Sequence, residues 1–204
     1  MEQRTDEWFA ARLGKVTASK ISDVMMKPTT AGYQNYRAQL ICERLTGEAT
    51  ESFTSAAMQH GTDTEPQARA MYTLLTGLDV EEVGFIDNPT IAMSGASPDG
   101  LVGDKGLVEI KCPQPANHIK TLTGANISRN YMLQMQWQMV CTGREWCDFV
   151  SFSPALPSDM QLFCQRIHHN VDMSDEITSS VESFLEDVDA ACSTLKCKYQ
   201  KEKD

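Results

Sequence analysis

Along this chain the period of the apolar positions changes, and each change marks an element. Thr5 followed by Asp6 and Glu7 caps a helix expected to carry Trp8, Phe9 and Leu13 on its buried side and to end at Gly14. A second helix is expected from about Thr17 to Ser19 as far as Met26, stopped by Pro28. A third runs from about Tyr33 to Leu45, with Ile41 and Leu45 on its inner stripe and Gly47 beyond its end. A fourth leads to Leu75 and Gly77, with Pro66 either in its first turn or at a kink. Then Val80, Val83, Phe85 and Ile86, followed by Ile91 and Met93, Leu101 and Val102, and Leu107 to Cys112, read as short strands separated by Gly, Asn and Pro. A helix from Arg129 to Cys141 follows, and segments 147–152 and 160–168 return to strand. Ser174 is expected to cap a last helix whose Ile177, Val181, Phe184, Leu185 and Val188 form one apolar stripe. This order predicts the α/β class, with helices packed around a central mixed sheet.

Length adds to that picture. At 204 residues and 22.7 kDa the chain suits one well-buried domain spanning 1–204, with the Lys-rich end, 196–204, read as a frayed tail. No stretch approaches the ~20 apolar residues of a membrane span. Glu2, Arg4, Asp6 and Glu7 do not suit a signal peptide, so a cytoplasmic protein is expected. The seven cysteines fall at 42, 112, 141, 147, 164, 192 and 197 with no Cys-x-x-Cys pair, and the four histidines lie at no ligand spacing to them. Most are therefore expected to be reduced and buried, and neither a zinc site nor an iron-sulfur cluster is expected.

The net charge of −10 argues at first against a nucleic-acid partner. Its distribution changes that. Residues 1–50 carry seven basic against six acidic side chains and residues 111–150 four against two, whereas residues 51–110 hold two against ten and residues 151–204 five against ten. An acidic outer surface combined with a basic path is compatible with DNA binding that discourages loose contacts.

The stretch from Gly95 to Lys111, GASPDGLVGDKGLVEIK, carries the densest chemistry. It places Asp99 at a turn and puts Glu109 and Lys111 two apart on a strand. These two then share one face, while Val108, Ile110 and Cys112 face a core. Adjacent carboxylates are stable mainly with a cation between them, and a hard divalent ion with oxygen ligands, Mg2+, is the expected occupant. A lysine beside it can orient or deprotonate a water and stabilise charge on a phosphate, so Asp99, Glu109 and Lys111 read as a metal-dependent nuclease centre. By itself the stretch also reads as ordinary turn and hairpin chemistry.

Beyond this stretch, motifs follow one another in order over roughly residues 5–150. They are WFAARLGKVTASK from Trp8 to Lys20, His60-Gly61 with Glu65, Ser97-Pro98-Asp99-Gly100, Glu109-Ile110-Lys111-Cys112-Pro113, and Tyr131-Met132-Leu133-Gln134-Met135-Gln136. The series resembles the phage lambda exonuclease-like alkaline exonucleases, the YqaJ-type viral recombinase nucleases of the PD-(D/E)xK superfamily. The resemblance implies a restriction-endonuclease-like core. It makes Asp99, Glu109 and the backbone carbonyl of Ile110 metal ligands, Lys111 the catalytic lysine, Glu65 a carboxylate near a second metal position, and Gln134 a residue positioning water or phosphate. Arg12, Ser19 and Ser97 would hold a 5'-phosphate, and Met58 would be the wedge that separates the last base pair. Taken singly, Glu65 also reads as a solvated helix-start residue and Gln134 as part of a polar helix face with Gln136 and Gln138. Arg12 also reads as a snorkelling surface residue, Ser19 as an N-cap and Met58 as core. Thr29 stands where another basic residue of the end-binding site is expected.

The resemblance implies an exonuclease that uses Mg2+, with Mn2+ as a substitute, and degrades one strand of linear duplex DNA from its 5' end to leave 3' tails for homologous recombination. It implies a ring-shaped homotrimer, DNA ends as substrate and a single-strand annealing protein as partner. A globular chain of this length has a radius of gyration of only ~16 to 17 Å, too small to surround a duplex alone. Two further readings remain: an endonuclease of the same superfamily, and a non-catalytic DNA-end-binding module.

Overall fold

The computed structural model describes residues 2–50 and 55–200. Four of its helices start where a side-chain oxygen accepts a free backbone N–H. Thr5 accepts from Trp8 N–H at the head of α1 (Asp6–Arg12), Ser55 from Met58 at α4 (Ala56–Thr76), Ser128 from Tyr131 at α6 (Arg129–Thr142), and Asn170 from Met173 at α7 (Val171–Tyr199). Gly47 ends α3 (Ala31–Thr46), and Gly77 and Gly143 end α4 and α6, each in the left-handed conformation that closes a helix.

The strands form two sheets. In the smaller, β4 (Ser94–Ala96) lies between β1 (Val16–Thr17), to which it is parallel, and β3 (Ile86–Asp87), to which it is antiparallel. The larger runs in the order β2 (Val80–Glu81), β5 (Gly100–Val102), β6 (Gly106–Lys111), β7 (Trp146–Phe152), β8 (Leu162–His168). It is mixed: β6 and β7 are parallel and the other neighbours antiparallel. A parallel step needs a long crossover, which α5 (Pro115–Leu122) and α6 provide.

Side chains of the central strand β6 alternate between two helices. Val108 and Ile110 pack with Ala68 and Tyr72 of α4, and Leu107 packs with Met135 and Met139 of α6. α6 has a second buried side, where Leu133, Trp137 and Cys141 join residues of α2 (Ile21–Val24), α3 and α7 in a helical core. A helix enclosed on both sides shows no single apolar stripe, and its polar side chains must find partners inside the protein.

The expected α/β architecture of helices around a mixed sheet is present, with local corrections. α1 buries no residue: Phe9 is 49% exposed and packs edge-on against Trp8, because this short helix lies on the surface. The second helix is split into a 3-10 turn, Ala18–Lys20, and α2, because Val16 and Thr17 are drawn into the smaller sheet. Pro66 lies in the interior of α4. The strand expected at Ile91 and Met93 is a turn, since the Asn88 side chain takes the N–H groups of Thr90 and Ile91, and pairing begins at Ser94. Helix α5 is an addition. α7 starts at Asn170, four residues before the expected cap, and Ser174 is a buried residue bonded to His169. The helix also takes in Lys196 and Lys198 of the expected tail, whereas 201–204 lie outside the described residues. All seven cysteines are free, but only Cys141, Cys147 and Cys192 are buried; Cys112 is half-buried and Cys42, Cys164 and Cys197 are exposed. Among the described residues no helix is long and apolar enough to cross a membrane.

Candidate active site

The chain passes from the smaller sheet to the larger through Ser97, Pro98 and Asp99, which link β4 to β5. The antiparallel ladder of β5 and β6 stops at the pair Gly100 and Val108. Beyond its end the Ile110 N–H donates to Asp99 Oδ2 at 2.7 Å, which ties the turn to the centre of the sheet. The N–H and C=O of a strand residue face the same neighbour, so the Ile110 carbonyl is directed to the Asp99 side as well.

Glu109 projects from the opposite face of β6, against α6, and is 1% exposed. Its Oε1 accepts from Gln134 Nε2 at 2.7 Å and from Lys111 Nζ at 2.5 Å, and its Oε2 accepts from Gln138 Nε2 at 2.6 Å. A carboxylate offers about four lone-pair sites, so ~one stays open for another ligand. Gln134 and Gln138 are one helical turn apart and reach the same carboxylate. Gln136 points elsewhere, to the His168 carbonyl and the Asn170 N–H. Gln138 is fully buried, and among the described residues its side chain is held by Glu109.

Charge in this cluster is tightly balanced. Burial, then the Glu109 and Glu65 carboxylates, push the Asp99 carboxyl well above the usual carboxylate range, against the pull of Lys111 and the Ile110 N–H. Burial acts to discharge Lys111, but Glu109 and Asp99 outweigh it and hold the ammonium charged well above the ordinary lysine range. Lys111 also lies 5.0 Å from the centre of the Tyr131 ring. Burial, with Glu65 and Asp99 beside it, raises the Cys112 thiol to about 12, so it stays protonated and unreactive.

Glu65 sits inside α4 rather than at a solvated helix start, and is only 9% exposed. Arg69 holds its Oε1 and Arg4 its Oε2, each at 2.7 Å. Among the described residues no three Asp, Glu, His or Cys side chains converge as a metal-binding group. The candidate donors remain those that the sequence resemblance implies, Asp99, Glu109 and the Ile110 carbonyl. That set suits Mg2+, which is held through one or two carboxylates and keeps waters or phosphate oxygens in its other positions.

A cavity of about 160 Å3 adjoins this cluster, lined by Gln3, Trp8, Arg12, Ala18, Ser19, Ser97 and Gln134. Arg12 Nη1 donates to Ser97 Oγ at 3.2 Å, and Trp8 Nε1 donates to the same oxygen at 2.9 Å. The guanidinium lies 4.0 Å over the Trp8 ring, one turn back on α1. Burial draws the Arg12 pKa down, against Tyr36 and Glu43, yet an arginine remains cationic. The structure thus brings Arg12, Ser19, Ser97 and Gln134 to one hollow, and Gln134 links that hollow to the buried cluster of Glu109, Lys111 and Asp99 through its hydrogen bond to Glu109. Ser19 caps no helix: it lies within the 3-10 turn, 3.5 Å from the Thr17 hydroxyl. Met58 is 59% exposed near the start of α4, outside both groups, and is not a core residue. Thr29 lies in an exposed turn.

Trp8, Gln138, Arg4 and Arg69 contribute to the site without having been singled out from the sequence. Trp8 and Gln138 had a signal, each standing four residues from a candidate on the same helix. Arg69 had the same signal, standing four residues from Glu65 on α4, whereas Arg4 had none, because its contact with Glu65 is set by tertiary packing.

Comparison with known proteins places this geometry in context. A family model described as the YqaJ-like viral recombinase domain matches residues 7–145. The crystal structure of an alkaline exonuclease (LHK-Exo) from Laribacter hongkongensis is 55% identical, with a TM-score of 0.90, covering 95% of this chain and 97% of that one. LHK-Exo in complex with dAMP matches over the same shares at 56% identity and TM-score 0.90. A phage related exonuclease from Haemophilus somnus 129PT shares the fold at 17% identity and TM-score 0.69, covering 89% and 96%. An uncharacterized protein of Acanthamoeba polyphaga mimivirus is 26% identical over 162 residues; these span 73% of this chain but 29% of that protein, under a third of its length.

Proposed function

The chain belongs to the YqaJ-like viral recombinase domain family, and from that membership we propose that it is a Mg2+-dependent exonuclease that resects linear duplex DNA from the 5' end. The observation that carries this reading is the adjacency of one hollow and one buried charged cluster, joined by one turn. Arg12, Ser19 and Ser97 line an anion-sized cavity, and two residues beyond Ser97 the Asp99 carboxylate enters the cluster with Glu109 and Lys111. The likeness to an alkaline exonuclease at 55% identity over nearly the whole chain supports the same reaction class.

In this reading the hollow binds the terminal 5'-phosphate: Arg12 supplies a charged fork, held flat by Trp8, and the Ser97 and Ser19 hydroxyls complete it. Asp99, Glu109 and the Ile110 carbonyl hold Mg2+, and Glu65 adds a carboxylate nearby. The ion supplies charge neutralisation at the phosphate and a more acidic water. Lys111, bonded to Glu109, stands where it can donate to a phosphate oxygen or orient the attacking water. Gln134 lines the hollow, donates to Glu109 and orients what lies between the two. Mn2+ replaces Mg2+ in the same oxygen set. Met58 stands exposed near the start of α4 as the strand-separating wedge.

At the level of the cell this reading makes residues 1–204 one nuclease unit, cytoplasmic and trimeric, that passes 3' tails to a single-strand annealing protein in homologous recombination. The test is digestion of one linear duplex, with and without a 5'-phosphate, in Mg2+ and in EDTA, beside a closed circle. Loss of the 5'-phosphorylated strand in Mg2+ with the circle intact is expected. Cutting of the circle would replace this reading with an endonuclease, and no cutting would leave a DNA-end-binding module. Lys111→Ala is expected to fold and bind DNA but to lose cleavage, measured by the same digestion.

A further inference from the structure

A second cavity, of about 420 Å3, opens on the other side of Asp99, and the segment Glu2–Arg4 forms one of its walls. Gln3 pins this segment down. Its Nε2 donates to the Val83 carbonyl at 2.9 Å and to the Pro98 carbonyl at 2.8 Å, the latter between Ser97 and Asp99. Gln3 consequently borders both cavities.

Among the residues lining the larger cavity, Glu2, Glu65, Glu82 and Asp99 are acidic, and Arg4 and Arg69 are the cations. A DNA strand passing here would need positive charge to meet it. Arg69 is committed: it is 14% exposed and bridges Glu65, Glu82 and the Asp99 carbonyl. Arg4 is not. Its side chain is 47% exposed, and among the described residues it makes one polar contact, Nη2 to Glu65, out of the five donors a guanidinium carries. Its backbone sits at φ 68, a left-handed conformation unfavourable for any residue with a Cβ. Where strain of this kind persists beside a reactive cluster, it points to a role beyond packing.

We propose that Arg4 is a DNA-phosphate contact: a guanidinium held on Glu65 in the free protein that transfers to a phosphate of the bound strand, freeing one oxygen of Glu65 as it leaves. The proposal rests on the nuclease reading above and adds to it the residue that receives DNA on the Asp99 side of the 5'-phosphate hollow. Arg4 suits an exchange because its partner is shared: Arg69 continues to neutralise Glu65 after Arg4 departs.

The test is binding of a 5'-phosphorylated duplex, in Ca2+ in place of Mg2+, over a range of NaCl concentrations, by the unaltered protein and by Arg4→Gly and Arg4→Lys. Glycine accepts the left-handed backbone, so Arg4→Gly is expected to melt no lower than the unaltered protein. It should bind the duplex several-fold more weakly. Its plot of log affinity against log salt should be shallower by about 0.9, the loss of one phosphate contact, and Arg4→Lys should keep the original slope. An unchanged slope in Arg4→Gly, or a slope lost equally in Arg4→Lys, would overturn the proposal while leaving the nuclease reading intact. Failure of the unaltered protein to bind duplex ends would overturn both.

Discussion

Glu109 takes hydrogen bonds from three side chains while it is almost wholly buried. Two of the donors are glutamines from one helix, Gln134 and the deeper Gln138, so α6 fixes the orientation of Glu109. Gln138→Met, similar in shape but without the donor, is expected to fold and to lose ~10- to 100-fold in Mg2+ affinity. Calorimetric titration of the metal and the Mg2+ dependence of turnover would both read it. Asp99 gives a prediction of opposite sign. Its pKa is raised in the fold, so the native state binds more protons than the unfolded chain between the two pKa values, and stability falls as pH rises through that window. In EDTA at pH 8, Asp99→Asn is therefore expected to melt higher than the unaltered protein. The gap should narrow as pH drops toward the carboxylate range, where Asp99 itself takes up a proton. Equal melting temperatures at pH 8 would show that the carboxylates do not repel.

The elements that carry these residues were unequally visible in the sequence. α3 and α7 bury one side and announce it by periodic apolar residues, and Phe184, Leu185 and Val188 lie in the core as that stripe implies. α5 is short, begins at a proline and buries only His118; its Ala116, Ile119 and Leu122 fall at helical spacing, but Ile119 and Leu122 stay exposed. β4 is Ser-Gly-Ala, with no strand-favouring residue, and owes its pairing to close approach. A Cβ at Gly95 would stand 2.4 Å from the Ile86 carbonyl oxygen, a backbone atom that cannot swing aside. Gly95→Ala should therefore cost about 1–3 kcal/mol, seen as a lower melting temperature, and should weaken end binding through Ser97 two residues on. The core of the candidate site was readable because Asp99, Glu109 and Lys111 lie on one short hairpin. Trp8, Gln138 and Arg69 were recoverable from helical spacing, whereas the contact of Arg4 with Glu65 exists only in the folded chain.

For the molecule as a whole, α6 connects the two cores: one side packs on the sheet, the other on the helical cluster, and its polar residues serve Glu109 between them. The acidic segments noted in the sequence include 51–110, which supplies most of the walls of the larger cavity, so the excess negative charge is partly concentrated where cations are to be received. If the protein encircles DNA as proposed, sedimentation should give three times the 22.7 kDa chain mass; a monomer would require a partner for processive tracking.

The turn from Ser97 to Asp99 has one more consequence. Two residues of extended chain span at most ~7 Å, so the contact that grips a strand's end and the carboxylate that attends its scission are held apart by a fixed covalent spacer. In the proposed reaction the length of each bite is then a matter of peptide geometry, not of timing. An enzyme built this way has a constant stride, set by a ruler of three residues and indifferent to the bases it passes.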